Sequence, residues 1–255
     1  MKKSHLFYLT IIFIYLYLPI AVLGVNAFNL NRYGLRWDGF TFKWFVAMVE
    51  NPGLMEAARN SFIVAISSAS LATMLGALGA IGIYLYRFKG RFILRGSLLT
   101  MMMIPDIIFA IALLVLFLIC GISLGFWSLL LAHTTFCLPF TVVTGLARLH
   151  GFDPYLLDAA KDLGASESQV RRRIILPLLV PALIASWLLC FTLSLDDVIV
   201  SSFVTGPSFD VLPLKIFSMV KVGVKPEVNA LATIMVLISI VLVVISQYLI
   251  KERKQ

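Results

Sequence analysis

The chain alternates long apolar runs with shorter polar segments. Six runs are long enough to cross about 30 Å of hydrocarbon as helices. They cover residues 6–28, 61–86, 97–120, 127–147, 178–204 and 228–250. The pattern therefore predicts an all-α polytopic membrane protein with six transmembrane helices. Since no repeat of fixed period and no flexible linker stands out, we expect residues 1–255 to form one transmembrane domain.

Lysine and arginine are distributed unequally between the two sides that six spans define. Fourteen of the 21 basic residues fall on the side that carries both termini, including Lys2, Arg253 and Lys254. The same side carries the polar segment 148–177. Because cytoplasmic loops hold the excess of basic residues, we expect both termini and this segment to be cytoplasmic.

Composition excludes several other protein classes. Hydrophobic residues make up 60% of the chain, charged residues make up 13%, and the mean hydropathy is +0.98. Too little of the chain is polar for the surface of a soluble globule. The net charge of +8 is explained by loops on one side of a membrane, so nucleic-acid binding is not inferred. The first apolar run is longer than the usual signal-peptide core, and we interpret it as an uncleaved span.

The cysteines and histidines predict neither a disulfide framework nor a metal site. The three cysteines, Cys120, Cys137 and Cys190, all lie in apolar runs. His133 and Cys137 have the spacing of metal ligands, but no third ligand accompanies them, so a packed histidine is the preferred interpretation. The chain also lacks the G-x-x-x-x-G-K-[ST] phosphate-binding loop, and nucleotide hydrolysis is therefore not assigned to it.

The polar segment 148–177 predicts a helix, a sharp turn and a second helix. Asp153 can cap the first helix with Pro154 at its opening position. Gly164 suits the left-handed residue that ends this helix. A surface that docks on another protein is the expected role of such a segment.

The second helix of this segment carries a capping-box pattern, formed by Ser166 and Gln169. Pro177 follows where the chain re-enters apolar sequence. On the first helix, a set of small and apolar residues falls on one side at helical spacing, and we expect this side to be the docking face. The set is Leu156, Leu157, Ala160 and Leu163.

Three acidic residues, Asp106, Asp196 and Asp197, lie within apolar runs. An aspartate at the bilayer centre costs about 2.5–3.5 kcal/mol on insertion scales, so it normally faces a partner or an aqueous cavity. Two adjacent aspartates on one helix also repel each other. A cationic substrate would relieve both costs. We therefore predict that Asp196 and Asp197, with Ser194 and Ser201 nearby, line a translocation path.

Asp106 and Trp44 are further candidates for which a structural role is an equal alternative. Asp106 follows Pro105, which can loosen the third helix, and it can serve either substrate or a hydrogen bond to a neighbouring helix. Residues 40–49 mix aromatic side chains with Lys43, which predicts a short helix at the outer membrane interface. Trp44 in this helix suits an interfacial anchor as well as a ligand contact.

The segment 148–177 resembles the EAA loop of ABC-importer permeases. The matching residues are Asp158, Ala159 and Ala160, then Gly164, then Ile174, Leu176 and Pro177 at the family spacing. Asp158 stands where the family usually has glutamate, which preserves the charge. Further stretches resemble PotC-type permeases of spermidine/putrescine importers over essentially the whole chain: 194–198, 201–207 and 212–215.

The resemblance implies the MetI-like fold of type I ABC importers and a subunit that moves polyamines across the bacterial inner membrane. It also implies partners: a second permease of the PotB type, two cytoplasmic ATPase subunits of the PotA type and a periplasmic polyamine-binding protein of the PotD type. ATP and Mg would be bound by the ATPase subunits, with no cofactor on this chain.

The residues assigned to function fall into two groups. The coupling loop, residues 148–177, contains Asp158, Ala159, Ala160, Gly164, Glu167, Ile174, Leu176 and Pro177. The substrate pathway contains Trp44, Asp106, Ser194, Asp196 and Asp197. Movement of the coupling loop by the ATPase is expected to tilt the spans between outward-facing and inward-facing arrangements.

Other functions stay open at this point. A six-span secondary transporter could use the membrane aspartates for proton coupling and would need no ATPase. A membrane scaffold could use the polar loop only to recruit a cytoplasmic protein. The acidic residues favour a cation but do not determine how many amino groups it has. Spermidine, putrescine and other small cations are therefore all compatible with them.

Overall fold

The computed structural model describes residues 3–32, 34, 36–153, 155–223 and 225–252. Lys2, Pro154, Arg253 and Lys254, which entered the predictions above, lie outside them. The described chain is helical, with one isolated antiparallel bridge between Asn29 and Phe40. Its helices are α1 Lys3–Ala27, α2 Lys43–Val49, α3 Pro52–Leu85, α4 Arg91–Met103, α5 Asp106–Ile119, α6 Phe126–His150, α7 Tyr155–Asp162, α8 Glu167–Val170, α9 Leu176–Asp196, α10 Ile199–Val204, α11 Leu212–Val222 and α12 Pro226–Glu252. A π-helical turn, Arg171–Ile175, joins α8 to α9.

Four helical segments of the described chain are long and apolar enough to cross a membrane. They are Phe7–Ala27, Pro52–Leu85, Phe126–His150 and Glu167–Asp196. These segments correspond to the predicted first, second, fourth and fifth spans. A shorter apolar segment, Pro226–Val241, lies in the predicted sixth span. The all-helical membrane class is thereby confirmed, while the count of six spans and the single domain stay predictions.

The predicted third span, 97–120, is not one straight helix. Helices α4 and α5 meet at a bend of 113° and form either a broken span or a re-entrant segment. The break falls at Ile104, whose ψ of 130° is extended, and at Pro105. Proline lacks a backbone N–H and disfavours helical geometry in the residue before it, so Pro105 favours a break at this point.

The predicted fifth span, 178–204, also ends early. Helix α9 stops at Asp196, Asp197 has extended backbone angles (φ −66°, ψ 122°), and α10 begins at Ile199. The expectation that both aspartates lie on one continuous helix was therefore wrong. Hydropathy alone predicts a single span because the residues on both sides of the break are apolar.

The helices form two compact units, Met1–Glu56 with Lys215–Gln255, and Ala57–Leu214. In the first unit, α12 packs against α1 and α2. The buried side chain of Asn29 organises the loop between α1 and α2. Its amide donates to the carbonyl of Arg36 at 2.8 Å, and its oxygen accepts from the backbone N–H groups of Asn31 and Asp38.

In the second unit, α6 is the central helix. It packs against α4, α5, α9 and α10. Two apolar clusters border it, one containing Leu129 and Val200 and the other containing Val142 and Leu179. Helix α6 also carries four buried polar side chains, Ser128, His133, Thr134 and Thr141.

Small residues bring α3 and α9 close to α6. A Cβ atom added to Gly76 of α3 would lie only 2.6 Å from the Cβ of Thr141. One turn earlier on α6, the thiol of Cys137 lies 3.6 Å from the carbonyl oxygen of Cys190, and the reverse pair has the same distance. Helices in lipid associate largely through such close packing, because lipid tails are as apolar as the side chains.

We expect Gly76→Ala to lower stability, because the new methyl group would overlap Thr141. Overpacking of this kind costs about 1–3 kcal/mol. Gly82→Ala in the same helix is the matched control, since a Cβ there meets no atom within 4 Å. The temperature at which half of the detergent-purified protein aggregates measures the difference. Equal temperatures for the two variants would contradict the close approach of α3 to α6.

Candidate functional site

The coupling loop begins with the predicted capped helix. The N–H of Tyr155 donates to the carboxylate of Asp153 at 3.0 Å. After α7, Gly164 has a left-handed φ of +81°. The N–H of Gly164 donates to the carbonyl of Lys161 and the N–H of Ala165 donates to that of Ala160, which is the paired pattern of a Schellman end. The predicted sharp turn is therefore confirmed.

The second part of the coupling loop leads without interruption into α9. The Ser166 N–H donates to Gln169 Oε1 at 2.7 Å, and the Gln169 N–H donates to Ser166 Oγ at 3.3 Å, so the predicted capping box is present. The π-helical turn Arg171–Ile175 follows. Pro177 explains this wider turn, since its ring cannot donate to Arg173 and would collide with that carbonyl in a regular α-helix.

The exposed apolar face of α7 differs from the predicted one. Leu157 and Ala160 are partly buried, because they pack against the apolar cluster around Val142 and Leu179. Leu156 and Leu163 are exposed, and Tyr155 joins them with 75% of its surface exposed. The predicted docking face therefore divides into two exposed and two partly buried members, and its role stays a prediction.

The remaining residues of the coupling loop lie mostly at the surface. Ile174 is half-buried, and the exposed ones are Asp158, Ala159, Glu167, Leu176 and Pro177. Glu167 lies 3.9 Å from Arg171, whose guanidinium donates to the hydroxyl of Tyr86 at the end of α3 at 2.8 Å. The start of α8 is thereby tied to α3 as well as to α9.

The adjacent aspartates have different environments because α9 ends between them. Asp196 is the last residue of α9 and is exposed. Asp197 turns inward, with 11% of its side chain exposed. One of its carboxylate oxygens accepts from the Val200 N–H at 3.2 Å and the other accepts from the Ser201 N–H at 2.6 Å. Asp197 therefore satisfies the first free N–H groups of α10 in the way that a capping residue does.

His133 of α6 contacts both sides of this break. Its Nδ1 lies 2.6 Å from the hydroxyl of Ser194, and its Nε2 lies 3.1 Å from the hydroxyl of Ser201. Nε2 is also 3.5 Å from Asp197 Oδ2. The Ser68 hydroxyl of α3 donates to Ser194 at 3.1 Å and extends the network. The prediction of a packed histidine is confirmed, since the side chain is only 3% exposed.

The sequence did not identify the partners of His133. The available signal was the pair Ser194 and Ser201, which are separated by seven residues and bracket two aspartates in an apolar run. Hydroxyl groups at such positions need a partner when they are buried. Only the packing of α6 against α9 and α10 shows that one imidazole supplies it.

The other two pathway candidates take no part in the hydrogen bonds described around His133. Asp106 is the first residue of α5 and is exposed, a position where its charge favours the helix. Trp44 belongs to the first unit and lies on the predicted short helix α2. Its indole N–H donates to the carbonyl of Asn29 at 2.7 Å, and the Lys43 ammonium lies 5.5 Å from its ring centroid. Both roles considered for Trp44 stay open.

The fold and the coupling loop agree with comparisons to known proteins. A family described as the binding-protein-dependent transport system inner membrane component matches residues 72–255. The chain belongs to this family. The permease is 56% identical over 246 residues to the spermidine/putrescine transport system permease protein PotC of Escherichia coli (strain K12), a match that covers 96% of this chain and 93% of that protein. The resemblance seen in the sequence is thereby confirmed.

Solved structures confirm the fold. A chain in the crystal structure of a bacterial ABC transporter that imports the acidic polysaccharide alginate has a TM-score of 0.75 and 19% identity, covering 100% of the permease and 98% of that chain. A chain of the MetNI methionine ABC transporter has a TM-score of 0.68 and 16% identity, covering 78% of the permease and 95% of that chain. The permease thus has the predicted MetI-like fold and is an inner-membrane transport subunit, not an enzyme.

We expect Asp197→Ala to destabilise the permease, whereas Asp196→Ala leaves stability nearly unchanged. The first substitution removes the acceptors of two backbone N–H groups of α10. Leaving such groups unpaired costs about 1–3 kcal/mol. Thermal aggregation of the two detergent-purified variants measures the effect. A larger loss for Asp196→Ala would contradict the assignment of the cap.

Proposed function

We propose that the permease forms half of the pore of an ATP-driven importer for polyamines, with spermidine and putrescine as substrates. The observation that carries this proposal is the 56% identity to PotC across 96% of the chain. The chemistry of the site supports it, since exposed carboxylates in a membrane path suit ammonium groups and disfavour anions. A different small cation is the nearest alternative.

The proposal includes the arrangement of the complex. In this arrangement the permease has six spans with both termini and the coupling loop in the cytoplasm, and the excess of basic residues on that side of the sequence supports this orientation. A second permease of the PotB type completes the pore. Two PotA-type ATPase subunits bind ATP and Mg on the cytoplasmic side, and a PotD-type periplasmic protein delivers the polyamine. This chain itself then needs no cofactor.

Within this arrangement, the pathway residues have different roles. Asp196 offers a free carboxylate, and Asp106 offers a second one at the start of α5. Ser194 and Asp197 belong to the network that surrounds the end of α9. Trp44, on the outer interface helix, presents an aromatic face that can hold an ammonium group.

The coupling mechanism follows from the continuity of one helical segment. Glu167–Asp196 runs for 30 residues without a break in chain direction. At 1.5 Å per residue this corresponds to about 45 Å, which is enough to connect the coupling loop with the far end of a span. When the ATPase subunits close, the force on α7 and α8 reaches Asp196 through this rigid segment and changes the side to which the path opens.

Transport by the reconstituted complex tests the substrate and the pathway together. We expect ATP-dependent uptake of spermidine and putrescine into proteoliposomes, and we expect Asp196→Asn to raise the apparent KM by about tenfold. A charge-assisted hydrogen bond is worth about 1.5–3 kcal/mol, and 1.4 kcal/mol corresponds to a factor of ten. Asp196→Glu, which retains the carboxylate, is the matched control.

Each outcome of this assay has a separate meaning. Uptake of no polyamine by the unmodified complex would contradict the substrate. Uptake that proceeds without ATP would favour a proton-coupled carrier. An unchanged KM in an assembled Asp196→Asn complex would leave the importer intact but remove Asp196 from the path.

The coupling role is tested at Gly164. We expect Gly164→Val to abolish uptake while ATP hydrolysis continues, because a β-branched residue strains the left-handed conformation that ends α7. No atom lies within 4 Å of a Cβ at this position, so the effect is conformational rather than a collision. Gly164→Asn is the control, since asparagine tolerates this conformation. The ratio of polyamine imported to ATP hydrolysed is the measurement, and an unaltered ratio for valine would refute the coupling role.

A further inference from the structure

The imidazole of His133 contacts both helices that meet at the break, α9 and α10. Ser194 lies in the last turn of α9, and Ser201 lies in the first turn of α10. One ring nitrogen contacts each hydroxyl, at 2.6 Å and 3.1 Å. The ring therefore spans the break at Asp197 from the side of α6.

One tautomer of His133 pairs the groups that face its ring. Ser68 donates to Ser194, Ser194 donates to the Nδ1 of His133, and the Nε2–H donates to Ser201 with Asp197 Oδ2 close by. In this tautomer the imidazole supplies an acceptor to Ser194 and a donor to Ser201. An aliphatic side chain of similar size would remove the ring's hydrogen bonds to both of these buried hydroxyl groups.

The network also distinguishes the two aspartates. Both carboxylate oxygens of Asp197 accept hydrogen bonds from backbone N–H groups of α10, so this side chain has a structural role. Asp196 is exposed and follows directly from the last turn of α9. Its direction is set by the point at which α9 ends, and His133 helps to fix that point through Ser194.

We infer that His133 is a positioning residue that holds the break between α9 and α10 and thereby aims the carboxylate of Asp196 at the cationic substrate. This inference rests on the proposed function, because it assumes that Asp196 contacts an ammonium group. His133 itself does not contact substrate, being 3% exposed. Its effect on transport is expected to pass entirely through Asp196.

The experiment is a double-mutant cycle on the reconstituted complex. His133→Leu is expected to raise the apparent KM for spermidine by about five- to tenfold with little change in the maximal rate of ATP hydrolysis. In the Asp196→Asn background, the same substitution is expected to raise KM no further, since coupled residues are not additive. His5→Leu, a change at an exposed histidine of α1, is the matched control.

Two further variants distinguish the contact of Nδ1 with Ser194 from the contact of Nε2 with Ser201. His133→Asn retains an amide near the position of Nδ1 and is expected to keep the contact with Ser194, so its KM should stay close to that of the unmodified protein. His133→Gln retains a group near Nε2 and should behave more like leucine. A KM increase that is equal in both Asp196 backgrounds, or a loss of maximal rate with no change in KM, would overturn the inference in favour of a packing role.

Hydrogen–deuterium exchange keeps this test independent of the substrate. Exchange of the segment 197–204 should be at least fivefold faster in His133→Leu than in the unmodified permease, because Asp197, the acceptor of the Val200 and Ser201 N–H groups, loses its contact with the imidazole. If the unmodified complex imports no polyamine but exchange is faster in His133→Leu, the proposed function is wrong and the positioning role of His133 is supported. If the unmodified complex imports polyamine but exchange is unchanged in His133→Leu, the positioning role is wrong and the proposed function is supported.

Discussion

A backbone within a membrane has no water to satisfy its N–H and C=O groups, and this constraint governs the interrupted helices of the permease. A break is tolerated where side chains replace the missing hydrogen bonds. At the end of α9, Asp197 accepts two backbone N–H groups of α10. His133 then connects the hydroxyl groups on either side. A charged residue that hydropathy marks as costly is therefore also the residue that makes the break possible.

The same constraint explains how a local site and a distant surface can be mechanically connected. The segment Glu167–Asp196 remains one helical segment across two prolines, Pro177 and Pro181, and a π-helical turn precedes Pro177. The chain is thus stiff between the surface and Asp196 and becomes irregular immediately afterwards. Asp196 thus lies between a stiff helical segment and a break that side chains support. This position suits a residue that is held by a rigid helix while the side of the membrane to which it is open changes.

Local features of the sequence were predictable, and features that depend on packing were not. The φ of Gly164 and the capping box of Ser166 follow from interactions within a few residues, and both are present in the structure. A loosening at Pro105 was predicted, but the 113° bend there and the break at Asp197 were not, since hydropathy measures side chains and does not register backbone geometry. Helical spacing showed which residues of α7 share a side but not that Leu157 is partly buried against its own chain. The network around His133 joins residues 61 positions apart, which one sequence cannot reveal.

The reciprocal contacts between Cys137 and Cys190 have a consequence for how this fold can change. Each thiol occupies the narrow space beside the other residue's carbonyl, 3.6 Å away in both directions. A bulkier side chain at either position would push α6 and α9 apart and pull Ser194 away from His133. Substitutions there must be compensated by a smaller partner, so the two positions are expected to covary across evolution as one unit even though no covalent bond joins them.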